Sequence, residues 1–215
     1  MARATGFAGE TRRPWAPPVP ALRRVGMELA VVAAFIAAIL ATNYALVRVP
    51  NVKLLDLMVF VAGYTLGFRR GAAVAVGAWL VYGTFNPWGA AGPLLLGTLM
   101  ASETVYALAG AGLRRLVSPQ RLRALPSRGS LLFVAVALAC TLAYDLATNI
   151  FTGVTWAQFA GSSQYGRWIG VALFNPGALL FSAVHVGSNL LLFPLLGPAL
   201  IKGAEGVKER LGWGG

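Results

Sequence analysis

The chain has 215 residues, of which 57% are hydrophobic and only 12% are charged, and its mean hydropathy is +0.68. Soluble domains usually carry about 25% charged residues, so this chain has too little polar surface to face water and a membrane is its expected solvent. The net charge of +11 does not indicate nucleic-acid binding, because the basic residues form short tracts between apolar runs and are not interleaved with stacking aromatic residues. The single cysteine, Cys140, excludes an internal disulfide, and we expect it to be a small buried hydrophobe.

The chain opens with residues 1–24, which are basic and rich in proline. This composition predicts a disordered cytoplasmic segment. No short apolar core followed by a small-residue cleavage site is found there, so the segment does not read as a cleavable signal peptide.

Six apolar segments follow, and they predict an all-α integral membrane protein in which residues 25–202 form a bundle of six transmembrane helices. The predicted spans are 25–49, 54–67, 71–85, 90–113, 130–151 and 176–201. The second and third are short, with FRRG (68–71) as a tight turn between them. Short segments are tilted, thin the bilayer, or pack inside the bundle. Residues 203–215 are predicted to be a cytoplasmic tail.

The distribution of Lys and Arg predicts the orientation. If the N-terminus is cytoplasmic, the outer loops hold only Arg48, Lys53 and Arg167. The tracts that then lie inside are 12–24, 69–70, 114–128 and 202–210. Because basic residues mark the cytoplasmic side, we expect a multi-pass protein of the cell membrane with both termini in the cytoplasm.

Two predicted outer loops combine Gly with aromatic and amide residues, Trp and Asn in 85–93 and Trp, Tyr and Gln in 152–170. One interpretation is an interfacial belt of aromatic residues. The other is that the loops cap a binding site, since long loops in compact bundles are often functional.

Polar side chains inside spans are costly and are therefore functional candidates. Asp145 and Asn149, in AYDLATNIF, share one helix face because they lie four residues apart. With Asp56, most of these groups fall in the outer half of the predicted bundle, which favours a ligand pocket over hydrogen bonding between helices. The candidate substrate-binding residues are Asn43, Asn86, Trp88, Glu103, Asp145, Asn149, Trp156, His185 and Asn189.

A catalytic or metal role is disfavoured. His185 and Ser188 lie three residues apart on one helix, a spacing that does not give the geometry of a nucleophile and its base. A single intramembrane histidine is more often a hydrogen-bonding group than a metal ligand. We therefore expect no metal site, no cofactor and no enzymatic activity in this chain.

The first span carries small residues at four-residue spacing, Ala30, Ala34 and Ala38. Small residues at this spacing let another helix approach closely. The stripe is either internal packing or a docking surface for a separate membrane subunit.

Taken together, these features resemble the substrate-binding S component of energy-coupling factor (ECF) transporters. The resemblance rests on AVVAAFIAA in the first span, NYALVRVPNVKLLDLMVFVAGYTLGFRRGA across the first three, FNPWG, YDLATN and HVGSNLLLFPLLGPAL, and covers about residues 26–202. It implies a non-enzymatic subunit that captures a vitamin or related micronutrient from outside. It also implies that Ala30, Ala34 and Ala38 dock a membrane coupling subunit, and that the loops 85–93 and 152–170 line or gate the pocket.

The resemblance further implies two ATPase subunits that use ATP, since this chain has no G-x-x-x-x-G-K-[ST] sequence of its own. The alternative is a small membrane enzyme or stand-alone carrier in which Asp145, Glu103 and His185 act as acid–base or proton-relay groups. The aromatic residues and amides suit a flat heterocyclic ligand, but the mixed charges leave its sign open.

Overall fold

The computed structural model describes residues 21–123 and 128–211, and within these ranges the chain is helical without β-strands. Seven α-helices occur there. They are α1 (Ala21–Ala45), α2 (Leu55–Leu66), α3 (Phe68–Thr84), α4 (Pro93–Leu116), α5 (Arg128–Phe159), α6 (Tyr165–Phe174) and α7 (Pro176–Arg210). The predicted all-α class is confirmed for the described residues.

Four of these helices, α1, α4, α5 and α7, are long and apolar enough to cross a membrane, by length and composition. The 24 residues of α4, at about 1.5 Å per residue, extend roughly 36 Å, beyond the ~30 Å of a hydrocarbon core. This is compatible with the predicted membrane protein. The count of six spans and the cytoplasmic placement of both termini stay predictions.

Helix α2 is the centre of the bundle. Its 12 residues extend only about 18 Å, and all of them except Met58 are buried. It packs against α3, α4 and α7. Of the explanations for a short apolar segment, packing inside the bundle is therefore the one that the structure shows.

Two glycines allow α2 and α4 to touch backbone to backbone. A Cβ atom added at Gly110 would lie 2.1 Å from the carbonyl oxygen of Phe60, and one at Gly63 would lie 2.2 Å from that of Ala107. Neither position has room for a side chain. This close approach fixes how deeply the N-terminal residues of α2 sit in the bundle.

The predicted turn at FRRG is wrong. The chain turns at Gly67 alone, whose φ of 87° lies in the left-handed region that glycine adopts at little cost. One such residue reverses the chain, so α3 begins at Phe68 and FRRG forms its first turn. Within that turn, Arg70 pairs with Glu28 of α1.

The predicted loop 152–170 is also wrong. Helix α5 continues to Phe159 and α6 begins at Tyr165, so only five residues connect them. The two helices pack closely at Gly153, where a Cβ atom would lie 2.5 Å from the Cα of Ile169. Burial of this contact stabilises helix in a stretch whose polar composition resembles a loop. The predicted loop 85–93 is confirmed as the connection between α3 and α4.

Helix α7 runs past its predicted end at residue 201 through most of the predicted tail, to Arg210. The extension is anchored because Lys208 Nζ donates to the carbonyl oxygen of Thr65 at 2.6 Å and Glu205 pairs with Arg114 at 3.3 Å. Residues 212–215 lie outside the described residues. So do residues 1–20 of the predicted N-terminal segment.

Candidate functional site

His185 of α7 is held between two carboxyl groups from different helices. Its Nε2 lies 2.6 Å from Asp56 Oδ2 on α2, and its Nδ1 lies 2.7 Å from Asp145 Oδ1 on α5. The imidazole is buried, with 6% of the residue exposed, and the Tyr144 ring packs edge-on against it at 5.6 Å between centroids. One imidazole thus joins three helices.

The proton count of this bridge follows from its geometry. A carboxylate oxygen can only accept, so both contacts can be hydrogen bonds only if the bridge holds one proton more than a neutral imidazole and two carboxylates. Wherever that proton sits, the formal charge of the Asp56–His185–Asp145 bridge is −1.

A layer of neutral polar groups lies beside the bridge, toward the middle of the bundle. Asn189 Nδ2 donates to Asp56 Oδ2 at 2.6 Å and to Thr141 Oγ1 at 2.9 Å. Tyr106 donates to the same Thr141 hydroxyl at 3.0 Å. Asn189 is one turn beyond His185 on α7, so a single helix face supplies both bonds to Asp56.

Glu103 of α4 is fully buried next to this layer. Its Oε2 accepts from Trp79 Nε1 at 3.1 Å, and its Oε1 has no hydrogen-bond partner among the described residues. Trp79 also lines the adjoining cavity, whereas Glu103 does not.

That cavity, the polar cavity, has a volume of about 350 Å³. It lies at the end of the bundle where α1, α3 and α5 finish and α2, α4 and α7 begin. Its polar lining comprises Asn51, Lys53, Asn86, Tyr144, Asp145, Thr148, Asn149, Thr152, Ser182 and His185. The second carboxyl oxygen of Asp145, Oδ2, is buried and has no partner among the described residues.

A second cavity of about 400 Å³, the loop cavity, adjoins the first. Its walls are mostly apolar and come from the connection between α1 and α2. Asn43 lines it with 1% of the residue exposed, and neither its Nδ2 nor its Oδ1 has a partner among the described residues. The two cavities share the side chains of Asn51, Lys53, Asn86 and Phe181.

Lys53 occupies the partition between the cavities. Its Nζ lies 5.2 Å from the ring centroids of both Trp79 and Tyr82, a distance at which an ammonium is attracted to the ring face. Within residues 21–123 and 128–211 it has neither an acceptor at hydrogen-bond distance nor an ion pair. Burial lowers the pKa of Lys53, although the carboxyl groups of Asp56 and Glu103 act in the opposite direction.

An apolar groove of about 510 Å³, the α1–α7 groove, lies in the other half of the bundle. Its walls include Ala30, Ala34 and Ala38 of α1, which is the predicted small-residue stripe. The opposite wall is the C-terminal part of α7 from Ala199 to Lys208, together with Leu211, which follows the helix. The stripe therefore faces an open groove and is not covered by another helix of the described chain.

The structure brings most of the predicted site residues to one end of the bundle. Asn86, Asp145, Asn149 and His185 line the polar cavity, while Asn43, Asn86 and Trp88 line the loop cavity. Glu103 and Asn189 lie beneath them in the buried network. Trp156 lines neither cavity and is 40% exposed on the last turns of α5.

Two of these residues make local bonds. Asn149 Nδ2 donates to the backbone carbonyl oxygen of Asp145 at 2.8 Å, leaving its Oδ1 for the cavity. The side chain of Asn86 accepts from the backbone N–H of Trp88 at 2.9 Å, which stabilises the turn between α3 and α4.

Lys53 was not among the predicted site residues, because the predicted topology places it in a loop. A signal was present, because Lys53 precedes Asp56 by three residues and adjoins an almost wholly apolar segment. Asp56 was predicted to be an intramembrane carboxyl group but was not among the predicted site residues either. Trp79, Tyr106 and Thr141 carried no sequence signal that separates them from ordinary core residues.

Within the described part of the chain, no group of three or more His, Cys, Asp or Glu side chains is arranged to hold a metal ion. Comparisons with protein-family models, curated proteins and solved structures found no match to this chain. The assignment of a function therefore depends on the site and the groove themselves.

Proposed function

We propose that this chain is the substrate-binding membrane subunit of an ECF-type importer, located in the cell membrane, that captures a vitamin or related micronutrient from outside. The observation that carries the proposal is the separation of two surfaces. The polar cavity lies at one end of the bundle, and the α1–α7 groove lies in the other half. A subunit that binds a solute on one side and a membrane partner near the other needs both.

The polar cavity has the chemistry of a binding site for a small solute. Small-molecule pockets combine mainly apolar walls with a few convergent polar groups, and here aromatic rings accompany the carboxyl group of Asp145 and the amide of Asn149. The buried Asp145 Oδ2 has no hydrogen-bond partner within the part of the chain that the structure describes. Since unpaired buried polar atoms cost about 1–3 kcal/mol, a solute that donates to this oxygen gains affinity.

The groove has the chemistry of a helix-docking surface. Membrane helices associate through small residues that let their backbones approach, and Ala30, Ala34 and Ala38 supply such residues along one wall. In this proposal a coupling subunit docks there, two ATPase subunits hydrolyse ATP, and this chain performs no reaction and holds no cofactor.

The test uses matched variants of α1. Ala38→Trp fills the groove, whereas Ala37→Trp adds the same side chain at an exposed neighbour that does not line it. Only Ala38→Trp should abolish co-purification of a coupling subunit and two ATPases, because only that change blocks the approach of a helix. Equal co-purification with both variants, or no associated subunits with the unaltered protein, contradicts the proposal.

The His185 bridge favours one alternative, a stand-alone carrier that moves protons with its solute. Both ring nitrogens of His185 contact carboxyl oxygens, an arrangement that can pass a proton between Asp56 and Asp145. This alternative predicts uptake into vesicles that contain only this chain and respond to a pH gradient. Uptake that requires ATP and the partner subunits excludes it.

A further inference from the structure

The polar cavity presents two unsatisfied groups of opposite character. Lys53 offers an ammonium with no acceptor in the described chain, held over the faces of Trp79 and Tyr82. Asp145 offers a buried Oδ2 atom that receives no hydrogen bond from residues 21–123 or 128–211. Both residues line the same cavity, so one molecule can satisfy both.

The charges at the cavity cancel. The Asp56–His185–Asp145 bridge reaches the cavity through Asp145 and His185 and carries −1 by its proton count, and a protonated Lys53 carries +1. Glu103 lies outside this set of groups, because it neither lines the cavity nor bonds to Lys53 or to the bridge, and its Oε2 accepts from Trp79. Since a charge buried without a counter-charge is costly, a solute without net charge fits this site better than a cation or an anion.

The walls also restrict size and shape. A volume of about 350 Å³ corresponds to about twelve water molecules at their share of liquid volume, roughly 30 Å³ each. Trp79, Tyr144 and Phe181 contribute flat aromatic surfaces to the lining, and aromatic rings pack favourably in offset or edge-on arrangements with another ring.

From these observations we propose that the solute is a compact zwitterion with a planar ring. Its monoanionic group, a carboxylate, pairs with Lys53, and its cationic N–H donor binds Asp145 Oδ2. A phosphate dianion would leave the site with excess negative charge and is disfavoured. The inference rests on the proposed function and deepens it by naming the chemical class of the solute.

The lowered pKa of Lys53 agrees with this assignment. Burial disfavours its charged form, and the nearby carboxyl groups of Asp56 and Glu103 offset that effect only in part. A ligand carboxylate beside the ammonium would supply the missing compensation.

The experiment compares probes that share a ring and differ in charge. The triads are tryptophan, tryptamine and indole-3-propionate; histidine, histamine and imidazole-4-propionate; and phenylalanine, phenethylamine and 3-phenylpropionate. Binding to the purified full chain in detergent is measured by thermal melting and equilibrium dialysis. We expect at least one zwitterion to bind tenfold or more tighter than both singly charged members of its triad.

Two variants assign the groups. Lys53→Met should remove the advantage of the zwitterion over its amine analogue, and Asp145→Asn should remove its advantage over the carboxylate analogue. The control is Arg48→Met, which removes the same charge from the same connection at an exposed residue that lines neither cavity. It should leave the preference unchanged.

Several results overturn the inference. The first is that the amine or the carboxylate analogues bind as tightly as the zwitterions. The second is that no probe binds at millimolar concentration. The third is that Arg48→Met reduces the preference for the zwitterion as much as Lys53→Met does. Co-purification of the coupling and ATPase subunits tests the proposed function independently. A protein that keeps those partners but binds no zwitterion overturns only the ligand class, whereas one without partners that still prefers a zwitterion overturns only the importer assignment.

Discussion

Replacement of His185 by leucine should destabilise the protein strongly, because it removes the group that separates two buried carboxyl groups. Asp56 would retain only its bond from Asn189. The side chain of Asp145 would retain none among the described residues. Leucine fills similar space, so the loss is mainly electrostatic and not a cavity.

The magnitude follows from burial. Asp56 is only 4% exposed, and breaking a buried pair by removing one partner costs about 3–5 kcal/mol. The side chain of Asp145 is 13% exposed and borders the polar cavity, so its contribution is smaller. For a chain of this size, 1 kcal/mol changes the melting temperature by roughly 2–4 °C, so the expected decrease is on the order of 10 °C.

The assay is thermal melting of purified protein in detergent, with Ser188→Ala as the matched control on the same helix. The Ser188 hydroxyl donates to the carbonyl oxygen of His185 at 2.9 Å, within its own helix, so its removal should change the melting temperature little. Adding Asp56→Asn to His185→Leu removes the unpaired charge and should restore part of the loss, as a double-mutant cycle would measure. If His185→Leu melts within about 2 °C of Ser188→Ala, a range that corresponds to less than about 1 kcal/mol, the bridge is not a major source of stability and the reasoning fails.

Three further predictions test packing, binding and topology. Gly110→Ala places a methyl group 2.1 Å from a backbone oxygen of α2 and should lower the free energy of unfolding by about 1–3 kcal/mol, measured by thermal melting. Gly112→Ala, which adds a methyl group in open space, should be neutral or stabilising. Equal effects of the two changes would refute the close contact. Asn149→Ala should weaken binding of the preferred zwitterionic probe roughly tenfold without lowering the melting temperature of the free protein, and the reverse pattern would assign Asn149 to helix packing. In a variant without the native cysteine, Gly161→Cys should react with an impermeant thiol reagent added outside, whereas Gln120→Cys should react only from the cytoplasm. The opposite labelling would show that the protein is inserted in the opposite orientation.

The sequence determined the class of the protein, because low charge and long apolar runs depend on composition and not on packing. It also located most of the polar cavity. Asp145, Asn149 and His185 lie in the outer halves of the predicted spans 130–151 and 176–201 by residue count alone, and a rise of about 1.5 Å per residue converts that count into depth. Depth along a helix is a local property, so it can be read from one segment at a time.

Rotation and proximity of the helices were decided only by tertiary packing. His185 contacts Asp145 across 40 residues and Asp56 across 129, and no spacing within one segment encodes such a meeting. Lys53 belongs to the site because packing brings the chain before α2 to the rings of Trp79 and Tyr82, which lie far from it in the sequence. The continuation of α5 into the predicted loop has the same cause, since contact with α6 stabilises helix where local composition alone favours a loop.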